Sequence, residues 1–432
     1  MRRLLMISPH FPPDSSAGTH RVRLLAPHLE AHGWRPTVLT VAEQDYEGRV
    51  DPELAALVPP SLAVVRSRAL SVRATRPFGV GDLGLRALPG LRRAAWRLCG
   101  QDAFDAVFIT IYPTYPAVLG PMIKRRFGLP FVLDYQDPWV GAWGRAVGGG
   151  AAGAVDFRSR STRAIAARLE PRVLRAADGV TAVSARTYED AFARIGVAPR
   201  AVAEIPIGWD SADLDALARR GGRARLIPED GRVNICYTGT LLPLGVATLR
   251  AVLTAARAVL DRDPLAADRL RFYFFGTSNQ AAGGEPRVVP HARELGVEHL
   301  VHEHPARLDY LDALDALRQA SALLLIGSSE PHYTPSKVFP ALLASRPLLA
   351  VYHSESTAVE MLSAAAPAPA ARVITFNDER PVERVVGCIA EALRGVLSSA
   401  GEPVRIDRTV LEPWSATALA GRLAALCDRI VA

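Results

Sequence analysis

The chain has 432 residues, 49% of them hydrophobic and 22% charged, with a formal net charge of +7. That length exceeds the roughly 250–300 residues at which a single core stops growing, so two domains are expected. No run approaches the roughly 18–20 uninterrupted apolar residues of a membrane span, and Cys99, Cys236, Cys388 and Cys427 lie scattered without CxxC spacing, which argues against a disulfide or zinc framework.

The N-terminal "MRRLLMISPHFPPD" turns polar too early for a signal peptide, so a reducing cytoplasm is the expected compartment. The charge is unevenly placed. Residues 66–97 hold eight arginines against one acid, Asp82, which accounts for the whole net charge. Leu83, Leu85, Leu88, Leu91, Trp96 and Leu98 run through the same segment. It reads either as a basic amphipathic element suited to an anionic membrane, on the inner face, or as a solvated arginine face over a buried leucine stripe. Nucleic acid is not an expected partner, because one short basic segment without a reader motif does not make a binding surface.

In chain order, seven short apolar runs predict strands at 4–9, 36–41, 62–67, 106–111, 131–136, 179–184 and 203–208, with helical patterns such as 17–32 and 159–177 between them. Near-continuous apolarity is expected of parallel strands covered on both faces. A Gly- and Arg-rich break at 218–232 follows, and the rhythm restarts at 233–239, 270–276, 299–304, 322–328, 347–353 and 372–377. The pattern predicts two Rossmann-like, doubly wound α/β domains facing across a cleft. Their expected ranges are 1–210 and 211–410, with a C-terminal helix in 411–432 that crosses back to the first domain. The glycine-rich stretch 141–157 has no periodicity and reads as a lid or a connector.

In open α/β sheets ligands sit beyond the carboxyl ends of the strands, so the loops there carry the candidates. After the first strand, "HFPPDSSAGTHRVR" leads a small-residue turn at Gly18 into a helix with Arg21, a phosphate-cradle pattern of low specificity. After 131–136 comes Asp137, either a polar contact and base for a hydroxyl or a turn aspartate before Pro138. His302 and His304 lie two apart on one strand, but no third ligand is near in sequence, so no metal is expected. The chain has 49 arginines and two lysines, Lys124 and Lys337, and the second stands in "TPSKVFPALLASRP" before an apolar run. A cation at a helix start is unfavourable unless an anion is bound there, and a compact ammonium suits a phosphate.

"GTHRVRLLAPHLEAHGWRPTVLTV", "FVLDYQDPW", "AADGVTAVSARTYEDAFARIG", "NICYTGTL" and "TPSKVFPALLASRPLLAV", in that order, resemble glycosyltransferase family 4, retaining nucleotide-sugar transferases with the GT-B fold. "DYQDPW" is similar to the branch with an Asp-x-Arg-Asp-aromatic pattern. The resemblance implies an NDP-sugar donor held without metal or other cofactor, and a glycolipid, polysaccharide-precursor or small-molecule acceptor. It implies donor contacts at Gly18, Arg21, Gly239, Thr240, Gly276, Glu330, Thr334, Ser336 and Lys337, and catalytic roles for Asp137 and Lys337. The loop after Gly276, with Ser278 and Asn279, would meet the nucleobase. Two departures stand out: His332 and Pro340 occupy the places of a pair of family glutamates, the second of which holds the ribose. They leave open a GT-B protein that binds nucleotide or glycan without transferring sugar. A nucleotide-sugar isomerase on the same frame ranks lower, since no catalytic carboxylate and histidine set stands out.

Overall fold

The structure is a computed structural model that describes residues 1–140, 157–221, 225–278, 284–329, 336–400 and 404–432. It divides into two compact units, Met1–Asp210 with Trp414–Ala432, and Ser211–Pro413.

In the first unit seven strands form one parallel sheet: β1 (Arg2–Ile7), β2 (Trp34–Val41), β3 (Ala63–Ser67), β4 (Ala106–Thr110), β5 (Phe131–Tyr135), β6 (Gly179–Ala182) and β7 (Ala201–Glu204). Their spatial order is β3-β2-β1-β4-β5-β6-β7. Sidedness explains the sequence. Leu5, Ile7, Val107, Ile109 and Leu133 pack into a core on one face, and Leu4, Met6, Phe108 and Val132 into a core on the other. Every second-face position must therefore also be apolar, which turns the usual alternation into a continuous run.

The C-terminal helix Ala416–Val431 covers that second face, burying Leu419, Leu423, Leu426, Cys427 and Ile430. Ser415 caps its start by accepting from the Ala418 N–H, and Asp428 accepts from both Arg2 and the Trp34 indole. A helix at Leu83–Gln101, capped by Asp82, buries Ala87, Leu91, Ala94, Ala95 and Leu98 on the first face. Leu83, Leu88 and Trp96 pack against the same core. The leucine stripe of residues 83–98 is thus spent on the sheet and is not a free membrane face.

The second unit repeats the topology with β8 (Val233–Thr238), β9 (Leu270–Phe275), β10 (Val301–His304), β11 (Ala322–Ile326), β12 (Leu348–His353) and β13 (Ala371–Phe376). All are parallel and ordered β10-β9-β8-β11-β12-β13. Among the described residues one helix, Pro243–Arg262, has the length and apolar composition of a membrane span. It is the crossover between β8 and β9, with Leu249, Val252, Leu253, Ala256 and Val259 fully or almost fully buried in the unit's core. Two Rossmann-like parallel-sheet units are therefore present, as the periodicity predicts.

Candidate functional site

In each sheet the chain reverses its direction of winding between its first and fourth strands, and the loops after those strands splay apart there. These are the β1/β4 and β8/β11 crevices.

At β1/β4 the crevice is filled by protein. Gly18 is buried, and a Cβ there would stand 2.3 Å from Cδ1 of Tyr112, two residues beyond the end of β4. The glycine admits an aromatic ring, which accounts for it without a phosphate. Arg21 is equally committed. Its side chain is 1% exposed and paired with Asp134 on β5, which is fully buried. Nε donates to both Asp134 oxygens at 3.1 and 3.0 Å, Nη2 donates to one of them, and Nη1 donates to the carbonyls of Ile205 and Pro206. Thr181 donates to the same carboxylate at 2.6 Å. These contacts run against the donor-phosphate role expected of Arg21: in this structure the guanidinium ties the helix Thr19–Leu25 to the sheet and has its donors turned inward.

Asp137 sits in an exposed turn just beyond β5. Buried Glu170 steadies that turn from beneath, accepting from Tyr135, from Arg194 and from the Val140 backbone. Desolvation pushes the Glu170 carboxyl up, against those hydrogen bonds.

A second polar group at these strand ends has no signal in the sequence. His10 Nδ1 lies 2.6 Å from Asp14 Oδ2, which also accepts from Ser16 and from Thr19 at 3.1 Å. Burial opposes ionisation of Asp14, but the hydrogen bond and charge of His10, with the two hydroxyls, outweigh it and hold the carboxyl below its usual value. With Nδ1 so engaged, the imidazole ring is fixed between Tyr46 and Tyr112.

At β8/β11 a shallow, partly open pocket is lined by Tyr237, Thr240, Leu241, Leu242, Gly245, Ile326, Gly327, Ser328 and Lys337. Gly239, at φ +113°, turns the chain out of β8, and a Cβ there would meet Lys337 Cε at 2.4 Å. The lysine stem lies across that glycine, and Nζ donates to Tyr237 Oη at 2.7 Å and to the Thr240 carbonyl at 3.1 Å, 4.6 Å from the Tyr237 ring centre. Burial pushes the Tyr237 phenol up, so it stays protonated, accepts from the ammonium and donates to the Thr240 carbonyl at 3.1 Å. Gly276, also at positive φ, lies against Gly239 and beside Arg307.

Lys337 immediately precedes the helix Val338–Leu343, whose six residues include Pro340, half-buried, and Ser336 is exposed on the turn before it. Arg287 was not foreseen. Its Nη1 donates to the carbonyl of Leu241, a pocket residue, at 3.0 Å, and Glu303 positions the segment by accepting from the N–H groups of Arg287, Val288 and Val289. Ser278 is buried after β9. Glu330, His332, Thr334, Asn279 and the stretch 141–156 lie outside the described residues. Among the described residues no three His, Cys, Asp or Glu side chains are grouped to hold a metal ion.

The structure thus gathers Gly239, Thr240, Gly276 and Lys337, and assigns Gly18 and Arg21 to packing. The roles of Tyr237 and Arg287 were not legible because their partners, Lys337 and the Leu241 carbonyl, lie 100 and 46 residues away along the chain.

Residues 17–208, most of the first unit, match the family described as Glycosyl transferase 4-like domain. No curated protein matches the chain by sequence. Solved structures resemble it end to end. An α,α-trehalose-phosphate synthase (UDP-forming) from Burkholderia vietnamiensis is 12% identical with a TM-score of 0.62, covering 100% of this chain and 99% of that one. A glycosyltransferase from Rickettsia africae is 12% identical at 0.57, covering 99% and 98%. Anabaena Alr3699/HepE, in complex with UDP-glucose, is 14% identical at 0.56, covering 98% of each chain. At such identities the likeness is one of fold: the chain has the GT-B fold, and its first unit resembles the glycosyl transferase 4-like domain.

Proposed function

We propose that the protein is a retaining glycosyltransferase that takes a sugar from a nucleoside-diphosphate donor held at the β8/β11 crevice. The observation that carries this is Lys337, whose ammonium is aimed across Gly239 into the pocket by a neutral phenol and a carbonyl. Glycosyl transfer leaves a diphosphate, and the charge that grows on it as the anomeric bond breaks must be met by preorganised cations and dipoles. Lys337 meets it here, with Arg287 at the Leu241 edge of the same pocket as the second positive charge. No metal is assigned a part. The match of the first unit to a glycosyl transferase 4-like domain supports transfer, and the UDP-glucose complex of the Anabaena protein makes UDP-glucose the first donor to try.

On this reading the first unit receives the acceptor, a hydroxyl of a glycolipid, polysaccharide precursor or secondary metabolite, with Asp137 as its polar contact and base and His10 near the same strand ends. The leaving phosphate assists attack from the face it departs, which is how configuration would be retained.

Calorimetry with UDP, GDP and dTDP, followed by a donor-hydrolysis assay, tests the assignment. Lys337→Ala should weaken diphosphate binding by about 2 kcal/mol, roughly thirtyfold, the scale of a hydrogen bond to a charged group. Nucleotide binding indifferent to that change would sink the site. A second reading is favoured by Pro340, which cannot accept a bond from a ribose hydroxyl where the family resemblance places a glutamate. It predicts Lys337-dependent binding with no turnover on any donor.

A further inference from the structure

The basic segment 66–97 is mostly paired where it touches the fold. Arg66 meets Glu43, Arg68 grips Asp45, and Arg76 and buried Arg86 share Glu47. Arg73, Arg92, Arg93 and Arg97 are exposed and make no ion pair among the described residues.

Arg86 also closes a loop. It donates to the carbonyls of Leu70 and Gly81, and the Leu70 N–H returns a bond to its own carbonyl. Residues 71–80 therefore project from a base that is tied at both ends to one buried guanidinium. At the far end the chain carries Pro77 and Phe78 and turns back at Gly79, φ +77°. Phe78 is 85% exposed, and Leu70, at the base, 51%. A protein surface tolerates single exposed apolar side chains, but here Phe78 stands on a braced segment five residues from the exposed Arg73, which makes no ion pair among the described residues.

We propose that the segment 68–81 docks the protein on an anionic phospholipid bilayer, with Phe78 and Leu70 entering the headgroup region and Arg73 on lipid phosphates. Charge complementarity selects this occupant: after Arg66, Arg68, Arg76 and Arg86 are paired with Glu43, Asp45 and Glu47, the exposed Arg73, Arg92, Arg93 and Arg97 remain as positive charge in 66–97. An interfacial site needs apolar insertion and positive charge together, because each alone holds a protein only weakly. Nothing in this depends on which reaction the β8/β11 pocket performs.

The test is cosedimentation of the full chain with sucrose-loaded vesicles of phosphatidylcholine, with and without about one third phosphatidylglycerol. The chain should pellet with the anionic vesicles, stay in solution with phosphatidylcholine alone, and be released progressively by salt. Phe78→Ser should lower partitioning about tenfold, as expected for withdrawing one large apolar side chain, and Arg73→Ala about fivefold. Both side chains are exposed, so unchanged thermal midpoints check that the variants fold. The proposal is overturned if the chain ignores both vesicle types, if it binds both equally, or if Phe78→Ser and Leu70→Ser each pellet like the unaltered protein.

Discussion

The two units share one topology and put their first crevice to opposite uses. At β1/β4 the Tyr112 ring lies on Gly18 and the nearest cation, Arg21, faces inward to Asp134. At β8/β11 the corresponding place beyond Gly239 is spanned by a lysine stem whose charged end borders a pocket. A glycine in the turn after a first strand and a cation close by are thus insufficient to make an anion site. What differs is where the charged end points: the Arg21 guanidinium is turned inward onto buried Asp134, while the Lys337 ammonium, held by a neutral phenol and a carbonyl, borders the pocket.

The sharpest way to break this contrast is Arg21→Met. It leaves a fully buried carboxylate with one hydroxyl for company, and should cost about 3–5 kcal/mol of first-unit stability in urea unfolding. Nucleotide affinity measured on protein that remains folded should not change. A large loss of affinity at unchanged stability would restore Arg21 to the donor site.

The glycines give the next effect. Gly18 has ordinary helical dihedrals, φ −62° and ψ −22°, so Gly18→Ala is penalised by the Tyr112 ring and not by the backbone. A cost of about 1–3 kcal/mol is expected from overpacking, and Tyr112→Ala in the same chain should recover most of it. At Gly239 the backbone itself is at positive φ, so Gly239→Ala should weaken UDP binding by displacing Lys337, and no shortening of the neighbour should restore full stability. If the two alanine variants respond alike to relief of their neighbour, the crevices are more alike than described.

Strand positions were legible because burial on both faces leaves near-continuous apolar runs, from "LLMI" in β1 to "LLLI" in β11, and length and flanking turns then separate strand from helix. The site was legible only in part. Lys337 stood out by residue type, but its phenol partner lies 100 residues away and the carboxylate that claims Arg21 lies 113 away, so neither pairing leaves a local pattern. The same limit applies to the helix Leu83–Gln101. Periodicity marks an apolar face, and only the fold says that a sheet, not a membrane, covers it.

The smallest expected effect concerns the turn that sets the β1/β4 crevice apart. Asp14 is the acceptor that joins His10, Ser16 and Thr19, and its carboxyl is held below the ordinary value of 3.8. A depressed folded value means that the unfolded chain binds the proton first. The carboxylate therefore contributes stability above pH 3.8, and that contribution fades as pH falls toward and through the lower folded value. Asp14→Asn keeps the shape and one acceptor but removes the charge, so it should cost about 1 kcal/mol near neutral pH. The difference between variant and unaltered protein should then shrink as urea midpoints are followed from pH 6 down through the folded value. His10→Gln, which keeps a donor but cannot carry charge, separates the two contributions. If the Asp14→Asn difference stays constant with pH, the turn is held by geometry alone and the His10–Asp14 charge pairing adds nothing to it.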